Sequence, residues 1–142
     1  MMIPSKGKKI ESGKKIKIGL DYHGVIDAKP ELFSILSQII VAAGHEVHII
    51  TGTKNTIEFR NTLKELGIFY TYIFSISDYH HDVLHTPMKG YDEGDPWIDA
   101  TLWNESKANY CLREKIDFHL DDSEIYGVPF MTPFALFKTI AR

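Results

Sequence analysis

Four stretches far apart in the chain carry residues fit for acid–base, nucleophilic or metal chemistry. Asp21 closes the apolar run Ile16-Lys17-Ile18-Gly19-Leu20 and is followed by Tyr22-His23-Gly24-Val25. Thr51-Gly52 closes Val47-His48-Ile49-Ile50, and Asp121-Asp122-Ser123 closes Phe118-His119-Leu120. Lys107 lies on the stretch that leads into the last of these runs. A carboxylate at a strand tip can be a nucleophile, a metal ligand, or both. Two carboxylates at one edge repel unless a hard cation sits between them, and magnesium takes oxygen ligands from few protein groups. A lysine and a hydroxyl nearby can hold a phosphoryl group. The residue types point to metal-assisted chemistry on a phosphate, if the fold brings them together.

The elements around these residues have an α/β rhythm. Strand and helix signals alternate, as in a parallel sheet. The expected strands are about 15–20, 46–50, 69–75 and 116–120. Residues 22–30 read as a turn-rich connection closed by Pro30. Apolar residues at 32, 35, 36, 39, 40 and 43 predict a helix stopped by Gly44. Asn55 or Thr56 can cap a second helix that stops at Gly67. Asn104 is a candidate cap for a third helix running to Glu114. The tail 128–140 is apolar and reads as an edge strand or short helix. Open sheets of this kind bind ligands at the carboxyl ends of their strands, which is where Asp21, Thr51 and Asp121-Asp122 would stand.

Composition narrows the class. A chain of 142 residues with 44% apolar residues can bury one core in one domain. No apolar run approaches the ~18 residues of a membrane span, and the N-terminal stretch lacks the apolar segment of a signal peptide. One cysteine, Cys111, excludes an internal disulfide framework and suits a reducing compartment, so a cytoplasmic location is expected. Of the 16 basic and 19 acidic residues, 1–17 hold six lysines and Glu11, which leaves 10 basic and 18 acidic residues for the body. The expected organisation is a basic N-terminal arm over 1–14 and a single domain over 15–142. An acidic body argues against a nucleic-acid face.

In order and placement, the motifs resemble those of the haloacid dehalogenase-like phosphohydrolase superfamily, over about residues 15–127. The family's first motif is an apolar strand followed by Asp-x-Asp-Gly-(Thr or Val), and here it reads Asp21-Tyr22-His23-Gly24-Val25. The second ends an apolar strand in Thr or Ser, here Thr51-Gly52. The third is a lysine, matched best by Lys107, with Lys54 and Lys89 as substitutes. The fourth ends a strand in paired acids, here Asp121-Asp122. The resemblance implies a three-layer sandwich around a central, mostly parallel sheet of Rossmann type, and a magnesium-dependent phosphatase. In it, Asp21 would form an aspartyl-phosphate. The Asp21 carboxylate, the His23 backbone carbonyl and Asp121 would bind Mg2+, assisted by Asp122. Thr51 and the Gly52 amide would hold phosphoryl oxygens, and Lys107 would offset their charge.

Position 23 departs from the family pattern. A second aspartate usually serves there as acid to the leaving group and base to water. An imidazole can do both jobs, and its unperturbed pKa of about 6.5 is well centred for neutral pH. A neighbouring cation would lower that value and a neighbouring carboxylate would raise it. If the histidine does not serve, the domain becomes a phosphate-binding or interaction module.

Each residue also has a plain structural reading. Asp21 could form a turn into Gly24, Thr51 could cap a helix, and Asp121-Asp122 could start one. The segment 77–101 is a long loop rich in polar residues, and long loops in small domains are usually functional. His80, His81 and His85 invite a zinc reading, but no cysteine supports a closed site, so a substrate-side loop is the expectation. Trp97, Trp103 and Tyr91 could wall a substrate or simply pack in the core. Residues 22–30 leave no room for a cap domain. The expected site is therefore open to a small phosphorylated substrate, and specificity would come from the loop or from a neighbouring subunit in a homo-oligomer. A signalling receiver domain uses similar residues, but its acid pair follows the first strand; here the pair comes late.

Overall fold

A computed structural model describes residues 13–139. The elements run β1 (Lys17–Leu20), α1 (Pro30–Ala42), β2 (Glu46–Thr51), α2 (Ile57–Glu65), β3 (Tyr72–Ser75), α3 (Ile76–Asp78), α4 (Ala100–Arg113), β4 (Phe118–Asp121), α5 (Glu124–Gly127) and β5 (Phe134–Leu136). All five strands are parallel, in the order β3-β2-β1-β4-β5. The order reverses between β1 and β4. A crevice opens at such a switch point, outside the carboxyl ends of the strands. The basic arm expected over 1–14 falls outside the described residues except for Gly13 and Lys14.

Alternation along β2 divides the core. Val47 and Ile49 pack with Phe33 of α1 and Phe59 and Leu63 of α2, whereas Ile50 packs with Tyr110 and Cys111 of α4. Side chains and backbone turns set the helix ends. The Thr56 hydroxyl accepts from the Phe59 amide at 3.0 Å to start α2, and Gly44 takes a φ of 87° just beyond α1.

Several expected boundaries move, and β1 and β4 start at Lys17 and Phe118 rather than near residues 15 and 116. β3 starts at Tyr72 rather than near residue 69, because Phe69 and Tyr70 precede the ladder with β2. The segment 77–101 is not one irregular loop. It opens with α3 and a wide helical turn over Tyr79–Val83, then folds back through an antiparallel bridge between Lys89 and Trp97. α4 begins four residues before Asn104. Asp99 caps it, its carboxylate accepting from the amides of Thr101 and Leu102. Among the described residues, no helix is long and apolar enough to cross a membrane.

Candidate active site

The site starts from the β1–β4 register. Leu20 pairs with Leu120, so Asp21 and Asp121 stand side by side one residue further on, at the switch point. The Asp21 amide continues the ladder by donating to the Leu120 carbonyl at 3.0 Å. Both side chains are buried. Lys107 comes to them from α4, whose Tyr110 and Cys111, three and four residues on, share its buried face. That packing holds the ammonium in place. Nζ donates to Asp21 Oδ1 at 3.0 Å and to Asp121 Oδ2 at 2.7 Å.

Burial of these charges decides their protonation. Burial raises the Asp21 carboxyl to about 8; Asp121 adds to the rise and Lys107 opposes it. Burial acts in the same direction on Asp121. There the His119 hydrogen bond and the Lys107 charge outweigh it and hold that carboxyl at about 2. Lys107 is itself disfavoured as a cation by burial, but the two carboxylates more than offset this and push it above the usual lysine value. With no cation bound at neutral pH, the three groups settle as a Lys107–Asp121 ion pair beside a protonated Asp21. The two acids titrate as a unit.

His119, quoted above only as part of the apolar run before Asp121, belongs to this arrangement. It lies two residues before Asp121, on the same face of β4. Burial lowers its pKa and keeps it neutral, and Nε2 donates to Asp121 Oδ2 at 2.9 Å. Its ring stacks on Phe130. The i, i+2 spacing was the available signal.

Asp122 completes a group of oxygens. Asp21, Asp121 and Asp122 each offer one within 4.8 Å of the others, the one cluster of three or more such ligands among the described residues. An all-oxygen set suits a hard divalent cation. Lys107 occupies one oxygen of Asp21 and one of Asp121; the other Asp121 oxygen accepts only from the Ser123 amide at 3.2 Å, and the Asp122 carboxylate beside them is exposed. Gly24 makes the room: it takes a φ of 79°, and a Cβ there would lie 1.9 Å from Asp122 Oδ2.

Asp21, His23, Thr51, Gly52, Lys107 and Asp122 all line one cleft of about 490 Å³. Asp121 stands behind it, reached through Lys107. Thr51 is fully buried and accepts from the Thr53 amide at 3.1 Å. Gly52 lies so close to the Trp103 ring that a Cβ would sit 2.6 Å from it. His23 is largely exposed. Its Nδ1 faces Asp27 Oδ2 at 3.2 Å and its Nε2 faces Thr53 Oγ1 at 3.2 Å.

The remaining candidates separate. Lys54 and Lys89 do not reach the carboxylates; Lys54 Nζ sits 4.0 Å above the Tyr91 ring and donates to the Tyr91 carbonyl. His80 is buried between Thr86 and Ser106, and His81 stacks on Tyr91 at 3.6 Å, so these two histidines hold the loop rather than gather around an ion. Trp103 lines the cleft and donates to the Tyr126 hydroxyl at 2.8 Å. Trp97 is 69% exposed, and Tyr91 is held by Asp78. Gly94, Asp95 and Pro96, from the segment folded back at Lys89 and Trp97, form part of the cleft wall. Tyr126 was not singled out in the sequence; its ring faces Lys107 Nζ at 4.4 Å. No protein-family model, curated protein or solved structure matches the chain.

Proposed function

We propose that this chain is a magnesium-dependent phosphomonoester hydrolase of the haloacid dehalogenase-like type. The observation that carries the reading is Lys107 Nζ bridging two buried carboxylates at the sheet's switch point, with Asp122 beside them. The reading includes a three-layer sandwich with no large cap domain, a small phosphorylated metabolite or nucleotide as substrate, and a cytoplasmic setting.

In this reading Asp21, Asp121, Asp122 and the His23 backbone carbonyl hold Mg2+. When bound, the ion neutralises charge on the carboxylates and on the phosphoryl oxygens. Asp21 supplies the nucleophilic oxygen. Lys107 stabilises the carboxylate before attack and the equatorial oxygens during it. Thr51 and the Gly52 amide orient the phosphoryl group. His119 holds Asp121 ionised and fixes its orientation. His23 protonates the departing oxygen and later takes a proton from water.

One observation favours a second reading, a phosphate-binding or interaction module without turnover. Although it lines the cleft, the His23 side chain is 69% exposed, whereas an acid catalyst works best when shielded from water. Phosphate release from p-nitrophenyl phosphate and from a panel of phosphorylated metabolites, with Mg2+ and with EDTA, separates the two. The hydrolase reading expects Mg2+-dependent release that Asp21→Asn abolishes. Binding of Mg2+ and a phosphate mimic with no release across the panel would establish the module instead.

A further inference from the structure

We infer that Asp27 is a positioning residue that sets the tautomer and aim of His23, so that Nε2 serves the leaving group; this rests on the hydrolase reading above. Asp27 makes two contacts with one carboxylate. Oδ1 accepts from the Gly24 amide at 2.7 Å, and Oδ2 meets His23 Nδ1 at 3.2 Å. The first contact anchors the carboxylate to the same tight turn that clears space for Asp122. The second obliges Nδ1 to be the protonated nitrogen, since an ionised carboxylate only accepts. Nε2 is thereby the nitrogen that faces Thr53 Oγ1, and both His23 and Thr53 line the cleft. Tyr22 packs edge-on against the ring at 5.0 Å and limits its rotation.

The arrangement compensates for the missing carboxylate at position 23. A carboxylic acid can give or take a proton from either oxygen, whereas an imidazole must present the right nitrogen, and a fixed partner on the other nitrogen decides which. The proton balance follows. As an oxygen of Asp21 bonds to phosphorus and the ester P–O bond breaks, the leaving oxygen takes the proton on Nε2, and the ring becomes neutral with its remaining proton on Nδ1 toward Asp27. In the second half, Nε2 takes a proton from the water whose oxygen attacks phosphorus. The Asp21–phosphorus bond then breaks, inorganic phosphate departs, and the ring is again protonated on both nitrogens.

Asp27→Asn tests this. The Gly24 amide retains the side-chain oxygen, so the new NH2 group faces Nδ1, which must then accept; the tautomer inverts and Nε2 carries the proton in the neutral ring. An equivalent exchange in the serine-protease triad keeps the geometry and costs about 10⁴ in kcat through the wrong tautomer. The inverted ring still offers an Nε2 proton to the leaving group but has no free Nε2 to take one from water, so only the second half fails. At saturating Mg2+, Asp27→Asn should release about one equivalent of nitrophenolate per site in a burst and then turn over at least tenfold more slowly than the wild type. A merely structural role would lower burst and steady state alike, and that result overturns the inference. Imidazole 15N shifts of His23, read by long-range proton–nitrogen correlation on the full chain, give a second measure that needs no turnover. The expected neutral form is Nδ1–H in the wild type and Nε2–H in Asp27→Asn. Finding Nε2–H in the wild type overturns the inference even if the enzyme is active. Absence of all hydrolysis by the wild type would sink the hydrolase reading on its own, with the nitrogen shifts still deciding the role of Asp27.

Discussion

Replacing the nucleophile should stabilise the metal-free protein, and by an amount that depends on pH. Asp21 is 5% exposed and its carboxyl is raised by burial from 3.8 to about 8. Between those two values the native state holds a proton that the unfolded state has released. Stability therefore falls as pH rises through this window, because the native state binds more protons than the unfolded one. At about 1.36 kcal/mol per pH unit, the full window is worth on the order of 5 kcal/mol. Asp21→Asn removes the dependence while keeping an oxygen that can accept from Lys107. It also leaves Lys107 with one carboxylate, a neutral pair in place of two acids sharing one cation. The neutral acceptor gives up about a third of that gain, since a hydrogen bond to a charged group is worth about 1.5–3 kcal/mol and a neutral one about 1. Urea denaturation in EDTA should find the two proteins similar near pH 4 and the variant several kcal/mol more stable near pH 8.5. For a domain of this size that is roughly 10 °C in the thermal midpoint. Saturating Mg2+ should close the gap from the wild-type side, since a ligand at 100 times its Kd adds about 2.7 kcal/mol to a protein that binds it. A variant destabilised equally at both pH values in EDTA would refute the electrostatic account of the site.

Other outcomes follow from the same contacts. Lys107→Met strips the cation from the buried Asp121 carboxylate and the donor from its protonated neighbour Asp21, and should cost about 3–5 kcal/mol at pH 7 in chemical denaturation, together with all turnover. Gly24→Ala drives a Cβ into Asp122 Oδ2 from a positive φ, so isothermal titration should find Mg2+ binding weakened about tenfold or more, with a smaller loss of stability of about 1 kcal/mol. His119→Leu removes the donor that holds Asp121 at about 2. Asp121 contributes stability above pH 3.8 that is lost as pH falls towards 2, so the acid unfolding midpoint of this variant should move to higher pH. Gly52→Ala pushes on the Trp103 ring, and a red shift in tryptophan emission should report its displacement from the cleft wall.

Much of the architecture was legible because its signals are local. An apolar run ending in an acid and a glycine-bearing turn identified the β1 tip, and two adjacent cap-forming residues, Asn55 and Thr56, bracketed the start of α2, where the structure uses Thr56. Strand alternation and the position of Gly44 needed no distant partner. Asn104 misled because Asp99, five residues earlier, offers the ionised cap and adjacent amides. The aromatic stretch before β3 misled because strand propensity reports burial against neighbours, and Phe69 and Tyr70 have no ladder to join.

The sequence alone determined which chemistry the chain could attempt: carboxylates at 21, 121 and 122, a hydroxyl at 51 and a lysine at 107, in an order set by alternating strands and helices. Tertiary structure alone decided that Lys107 rather than Lys54 or Lys89 bridges the acids, that His119 supports Asp121, and that Asp27 faces the His23 ring. The reason is physical. Residue type and spacing record what a segment prefers by itself, whereas the protonation and aim of a charged group depend on what surrounds it. For Lys107 those surroundings lie 86 residues away at Asp21.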